Sequence, residues 1–277
     1  MIAALFLAAA QTAAPVSPPA ACEDRLVPYG VEAGQDWSLT LAAPGGGSLD
    51  YVGAEHLRDP AHPQFAAIDA AYAAARPTVV FYEGPDRGVG ADGPDTIRTR
   101  GEAAYVRFLA RQGQAAVRSL EPPPAEQMKH LIGRFGGENV ALFFFVREAV
   151  RIRDREGLSG KALDQAVSSL LTKASAMGLM PTGTTADLGW LDAAYARNFP
   201  GPPDWRQAKT EWFDPMREDL FTNAINRADS EFRNVWMYRQ LTAAVLSGDR
   251  VFAVVGRNHV PRQAPALRCA LGGTASR

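Results

Sequence analysis

Cysteine is nearly absent from this chain of 277 residues, which has only Cys22 and Cys269, one near each end. That excludes a disulfide-dense mini-scaffold and a cysteine-cluster metal site, and neither residue has the spacing of a thiol nucleophile. Charge of one sign is missing too: 29 Lys and Arg stand against 30 Asp and Glu. With no long basic run and no aromatic-basic interleave, a nucleic-acid partner has no electrostatic support. Long apolar runs are lacking as well. The stretch Met1 to Ala10 holds ten apolar residues, about half of the ~20 that a membrane-spanning helix needs. No short-period repeat is present, which excludes a solenoid. Histidine is scarce, with four residues in all, so where each one falls matters.

What is present describes a folded globule. The hydrophobic content is 47% and the charges are dispersed, and the length suits one large α/β domain or two small ones with a core that needs no disulfide. Residues 1–21 read as a signal peptide: an apolar segment, then small residues and prolines, with candidate cleavage near Ala10, Ala14 or Ala21. The n-region carries no Lys or Arg, and the alternative is an apolar N-terminus that is not a signal. Cys22 is not in a good lipoprotein box. A periplasmic or secreted location with no membrane span after cleavage is therefore expected. In that compartment a Cys22–Cys269 bridge is expected, the alternative being two unrelated thiols.

The polar segment 22–47, Gly-rich at its end, reads as a lead-in before a single domain spanning 48–277. Tyr51 and Val52 belong to a first core strand. A helix is expected from about Pro63 to Ala75, with Phe65, Ile68, Ala71 and Tyr72 at helical spacing, then a β-branched and aromatic strand Thr78 to Tyr82. Gly84 to Thr99 reads as a loop, Glu102 to Arg111 as a helix and Ala115 to Ser119 as a third strand. Further helices are expected after Pro122, from Glu138 to Arg155 and from Ser159 to Met177. Pro181 to Pro215 reads as irregular, with Trp190, Phe199, Trp205 and Trp212 more consistent with core than with a substrate platform, although a lid is conceivable. A long helix from about Met216 to Leu246 then leads through Gly248 into a last strand, Val251 to Val255. The fold class is α/β: a central mostly parallel or mixed sheet flanked by helices, with a helical C-terminal half.

Two of the four histidines share a local frame. Ser48-Leu-Asp-Tyr-Val52 runs into Gly53-Ala-Glu-His56, and Val251-Phe-Ala-Val-Val255 runs into Gly256-Arg-Asn-His259. Each is a buried strand, a turning glycine and a histidine three residues on. Side chains just past the carboxyl ends of parallel strands face the ligand crevice of an α/β sheet, so the two imidazoles are expected to converge. Glu83 and Glu121 sit just past two further strands at the same level. Neutral imidazole and carboxylate oxygen suit a divalent transition metal such as Mn, Co or Zn. His62 and His130 lack this frame. Glu102, after Gly101, reads as a helix-start carboxylate.

The order Tyr51 to Pro60 with His56, Thr78 to Gly84 with Glu83, Ser119 to Gln127 with Glu121, Arg233-Asn234, then Val254 to Val260 with His259 resembles the TraB/PrgY/GumN family. That family is related to the Tiki proteases and more distantly to erythromycin esterases and ChaN haem-binding lipoproteins. The resemblance covers roughly residues 51–260. It implies a metal-dependent hydrolytic site at the strand ends, with His56, Glu83 and His259 as metal ligands and Arg233 and Asn234 as the late-helix pair. Tiki-like relatives are metalloproteases that favour manganese or cobalt, so the resemblance implies hydrolysis of a peptide, amide or ester bond in a peptide or small-molecule substrate. In that chemistry Arg233 would stabilise an oxyanion, Glu121 or Glu55 would move the proton, and Asn234 would orient the motif loop.

Glu55 before the first histidine and Arg257-Asn258 before the second depart from the common pattern. Arg257 would weaken metal binding if it pointed inward, or would hold a substrate carboxylate. The alternatives from other classes are a non-catalytic periplasmic haem- or metal-binding protein and a scaffold that has lost its metal.

Overall fold

A computed structural model describes residues 19–180, 183–200 and 204–272. The signal-peptide reading falls on residues 1–21, of which 1–18 lie outside the described residues.

The chain begins with a short helix α1 (Ala20–Glu23) and strand β1 (Ser38–Ala42). Strand β2 (Ser48–Ala54) follows, then helix α2 (Pro63–Ala75), strand β3 (Val79–Tyr82), helices α3 (Gly93–Arg100) and α4 (Glu102–Gly113), and strand β4 (Ala116–Ser119). The helical half comprises α5 (Pro124–Phe135), α6 (Gly137–Glu156), α7 (Gly160–Ala176), α8 (Leu188–Asn198) and α9 (Phe221–Leu246), before strand β5 (Arg250–Gly256) and helix α10 (His259–Leu271). The strands form one mixed sheet in the order β1-β2-β5-β3-β4. Only β1 runs antiparallel to its neighbour; β2, β5, β3 and β4 are mutually parallel. The two histidine-bearing strands are thus direct neighbours, with Ala54 opposite Gly256. That adjacency, 202 residues apart in sequence, delivers both motifs to the same end of the sheet.

β5 is central, and its run Val251 to Val255 is fully buried, as expected for a parallel strand covered on both faces. Alternation along the strands divides the core. Tyr51, Val79, Phe81, Val251, Ala253 and Val255 pack with Met237 and Leu241 of α9 and Leu267 of α10. Val80, Tyr82, Phe252 and Val254 face the other way, onto Phe65 and Ile68 of α2 and Tyr105 and Val106 of α4. A third core sits within the helical half, where Phe143 and Phe145 of α6 meet Leu171, Tyr195, Trp205 and Phe213.

Four sequence expectations need correction. The segment 22–47 is not only a lead-in: Leu39 and Leu41 of β1 are buried and the strand forms one edge of the sheet. The supposed loop Gly84 to Thr99 contains α3, because Asp92 caps its start by accepting a hydrogen bond from the Asp95 N–H at 2.7 Å, and proline suits the first turn. Pro181 to Pro215 contains α8 and two 3-10 turns, Trp205–Gln207 and Thr210–Phe213. Its Trp205, Phe199 and Phe213 are buried in the third core, so these aromatics pack and do not present a platform. The long helix begins at Phe221, five residues after Met216.

Cys22 and Cys269 are bridged, with their Cα atoms 5.5 Å apart. The bond ties α1 to α10 and closes the two ends of the domain together. Among the described residues no helix is long and apolar enough to cross a membrane.

Candidate functional site

Glycine shapes the strand ends. A Cβ on Gly53 would lie 2.7 Å from the Arg257 Cα and 2.9 Å from the Trp37 carbonyl oxygen, so the β2 turn can approach the β5 turn only without a side chain. A Cβ on Gly256 would lie 3.2 Å from Glu83 Oε2 and 3.3 Å from His56 Nε2. Glu83 and His56 thus both lie over Gly256. The same Glu83 Oε2 accepts the Gly256 N–H at 2.5 Å. His259 lies on the other side, its Nε2 3.6 Å from Glu83 Oε1. The structure thus brings His56, Glu83 and His259 together.

Both imidazoles are oriented in the same manner. His56 Nδ1 is 2.6 Å from Glu102 Oε1, and His259 Nδ1 is 2.6 Å from Asn234 Oδ1. Asn234 Oδ1 also accepts Gln263 Nε2 at 2.9 Å, which identifies it as the acceptor. Each Nδ1 faces an oxygen acceptor and so carries the proton. The neutral ring then offers its Nε2 lone pair, the arrangement that metal-bound histidines use. The Glu102 hydrogen bond raises the His56 pKa above its ordinary value, outweighing the burial that opposes it.

Arg233 of α9 holds the carboxylates. Its Nη2 donates to Glu83 Oε1 at 2.6 Å and to Glu121 Oε1 at 2.7 Å, and its Nε donates to Glu121 Oε2 at 3.1 Å. Glu121 also accepts the Gly84 N–H at 2.8 Å. Burial pushes the Glu83 pKa up, but the neighbouring His259, the Arg233 guanidinium and the Gly256 N–H overcome it and hold the carboxyl well below the usual range. Glu83 is therefore an anion across the neutral range. Arg233 Nη1 makes no hydrogen bond among the described residues.

Glu55 is not part of this group of contacts. It pairs with Arg257, whose guanidinium lies 5.0 Å over the Trp37 ring. The charge of Arg257 is therefore met by Glu55 and is not directed at the imidazoles. His62 accepts the Gln64 N–H at the start of α2, and His130 stacks on Phe232. The acidic neighbours of Arg233 on α9 have other partners: Glu231 accepts the Tyr29 N–H, and Asp229 accepts a hydrogen bond from Gln127 Nε2 at 2.5 Å.

Sequence reading missed Glu102 as a histidine partner. It is 9% exposed in its side chain, and the only local hint is an acidic residue after Gly101 that a helix start already explains. Gln263 and the Gly256 N–H were missed as well, because their roles depend on contacts that no spacing records.

Two cavities flank the group. One of about 590 Å³ is lined by Glu121, Arg233, Arg147, Asp229 and Trp236. The other, about 1250 Å³, runs from His56 and Asn258 across α5, α6 and α7. Among the described residues no three His, Cys, Asp or Glu side chains already form a metal-ligating set, since Glu83 is turned toward Arg233 and Gly256. In donor chemistry the residue types suit a divalent ion: two imidazoles, each with its Nδ1 held by an oxygen, and one ionised carboxylate. No protein-family model, no curated protein and no solved structure matches the chain.

Proposed function

We propose that this chain is an exported metal-dependent hydrolase acting on a peptide, amide or ester bond, with His56, Glu83 and His259 as ligands of a divalent transition metal, Mn, Co or Zn. The observation that carries the reading is the matched pair of Nδ1 hydrogen bonds, to Glu102 and to Asn234, which leaves two Nε2 lone pairs beside one ionised carboxylate. The order of these residues supports it through the TraB/PrgY/GumN resemblance, and the disulfide and signal-like N-terminus support the exported location. Such an ion supplies Lewis acidity and an activated water when bound.

The chain's own residues have separable tasks. Glu102 and Asn234 fix the tautomer and ring orientation of the two histidines. Arg233 faces the smaller cavity with Nη1 uncommitted among the described residues, so it stabilises negative charge developing on a carbonyl oxygen. Glu121 faces that cavity too and is the carboxylate that exchanges the proton, whereas Glu55 lies outside the group of contacts. Asn234 is a positioning residue that acts through His259.

The test is a screen of peptide, amide and ester substrates with the metal removed by chelation and restored. Activity that is lost and regained with Mn, Co or Zn is expected. Glu121→Gln keeps the shape and an acceptor oxygen but removes the basicity, so turnover should fall by roughly 10²- to 10⁴-fold; unchanged turnover rejects the role. The breadth of the 1250 Å³ cleft beside half-exposed His56 favours a second reading, a non-catalytic haem- or metal-binding protein. A stoichiometric haem absorption band with no hydrolysis would select it.

A further inference from the structure

The larger cleft is balanced in charge by count and unbalanced in pairing. Four anions line it, of which three stand beside a cation and Asp214 beside a backbone N–H only. Glu148 takes two hydrogen bonds of 2.9 Å and one of 2.7 Å from Arg151. Asp154 accepts from Arg153 at 2.7 Å and from Thr210 at 3.0 Å. Asp214 accepts the Met216 N–H at 2.8 Å, and Glu211 stands 3.9 Å from Lys209. Of the four lining cations, Arg151 is committed to Glu148 and Glu156. Arg147, Arg155 and Lys173 have no ion pair or side-chain hydrogen bond among the described residues. Three cations thus stand in the cleft without an ion-pair partner against one such anion, Asp214, and low-dielectric walls focus the excess positive charge.

Arg147 has a special place among these. It lines both the large cleft and the small cavity that holds Glu121 and Arg233, so it stands at the junction of the two. Its aromatic contact is Phe143, with the ring centre 5.5 Å away. Arg155 lies two helical turns further along the same face of α6. Around these cations the cleft wall is apolar: Met128, Phe144, Phe145, Leu170, Met177 and Leu179. Two methionines make that wall adaptable in shape.

We infer that the substrate is an amphipathic carboxylate: an amide or ester whose apolar portion lies against α5, α6 and α7 and whose carboxylate is held by Arg147, with Arg155 as a secondary contact. This rests on the hydrolytic reading of the adjoining site and names the substrate class for it. A single arginine at the junction suits a monoanion, and its planar fork pairs two-pronged with a carboxylate. Arg147 is thus a specificity-determining residue.

The test uses two fluorescent probes with no scissile amide or ester, 11-(dansylamino)undecanoic acid and 11-(dansylamino)undecan-1-ol. The purified protein should bind the acid about tenfold more tightly than the alcohol, the scale of one charge-assisted hydrogen-bonded pair. The preference should shrink in ~1 M NaCl. Arg147→Gln should abolish it and Arg155→Gln should weaken it. Equal binding of the two probes, no binding of either, or a preference intact in Arg147→Gln overturns the inference. Stronger competition by dodecyl phosphate than by dodecanoate would replace the carboxylate with a phosphate and overturn it as stated. Because neither probe is hydrolysed, an absence of turnover with the probe preference intact would defeat the hydrolytic reading alone.

Discussion

His56 and His259 occupy the same frame on adjacent parallel strands, yet their environments differ. His56 is 48% exposed in its side chain and lines the large cleft, whereas His259 is 8% exposed. The partner of the exposed ring is a carboxylate, Glu102; that of the buried ring is a neutral amide, Asn234, itself bonded to Gln263. The difference follows from position in the sheet. β5 is the central strand and its histidine starts α10 beneath α9, while β2 is one strand nearer the edge and its histidine opens outward. Matching local frames thus give one buried, anchored imidazole and one that opens to the cleft and solvent. A carboxylate partner is tolerable where the ring it pairs with is open to water, and an amide avoids a second buried charge beside Glu83.

The largest effect should come from removing what both arms share. Arg233→Ala leaves Glu83 and Glu121 without their cation, and a loss of about 3 kcal/mol in urea denaturation is expected, the lower end for breaking a buried pair because Glu121 is 27% exposed. A loss below about 1 kcal/mol would show that Arg233 does not anchor the carboxylates.

Next comes the contrast between the arms. His259→Ala should destabilise by about 1–3 kcal/mol, since it removes a buried ring and leaves Asn234 with one partner fewer. His56→Ala should cost under about 1 kcal/mol, as expected of a half-exposed side chain. Equal losses would mean that the burial difference has no energetic meaning.

The smallest effect is on titration, followed by NMR on metal-free protein. His56 should titrate above 6.5, because Glu102 stabilises the imidazolium, and Glu102→Gln should lower that value. A folded-state pKa raised above the unfolded one contributes stability that is full below about 6.5 and is lost as the pH rises through the folded value. The stability cost of Glu102→Gln through this group should therefore be larger at pH 5.5 than at pH 8. A cost independent of pH would contradict the assigned pairing.

Much of the fold was legible from the chain. α2 runs Pro63–Ala75 as its apolar spacing and first-turn proline indicate, and the buried runs at β3 and β5 were marked by β-branched residues. β1 was hidden because its alternation is only five residues long and lies in a polar segment. α3 was hidden because Gly93-Pro94 signals a break in isolation and a helix start once Asp92 caps it. For the site, strand-end placement pointed to His56, Glu83, Glu121 and His259, and the structure joins Glu121 to the others through Arg233. Glu102 lies 46 residues from its histidine and Gln263 lies 29 from Asn234, and only packing of α4 and α10 onto the sheet brings them in. Arg147 was illegible for a different reason: an arginine on a helix looks like a solvated charge until its neighbours prove to be paired without it.

The measurement that tests the central claim most directly is the metal content of the purified protein after incubation with Mn, Co and Zn, with His56→Ala and His259→Ala beside the wild type. One divalent ion per chain, lost in both variants, is expected if the two Nε2 atoms and Glu83 share an ion. No bound metal in the wild type, or an ion retained in both variants, would contradict the account.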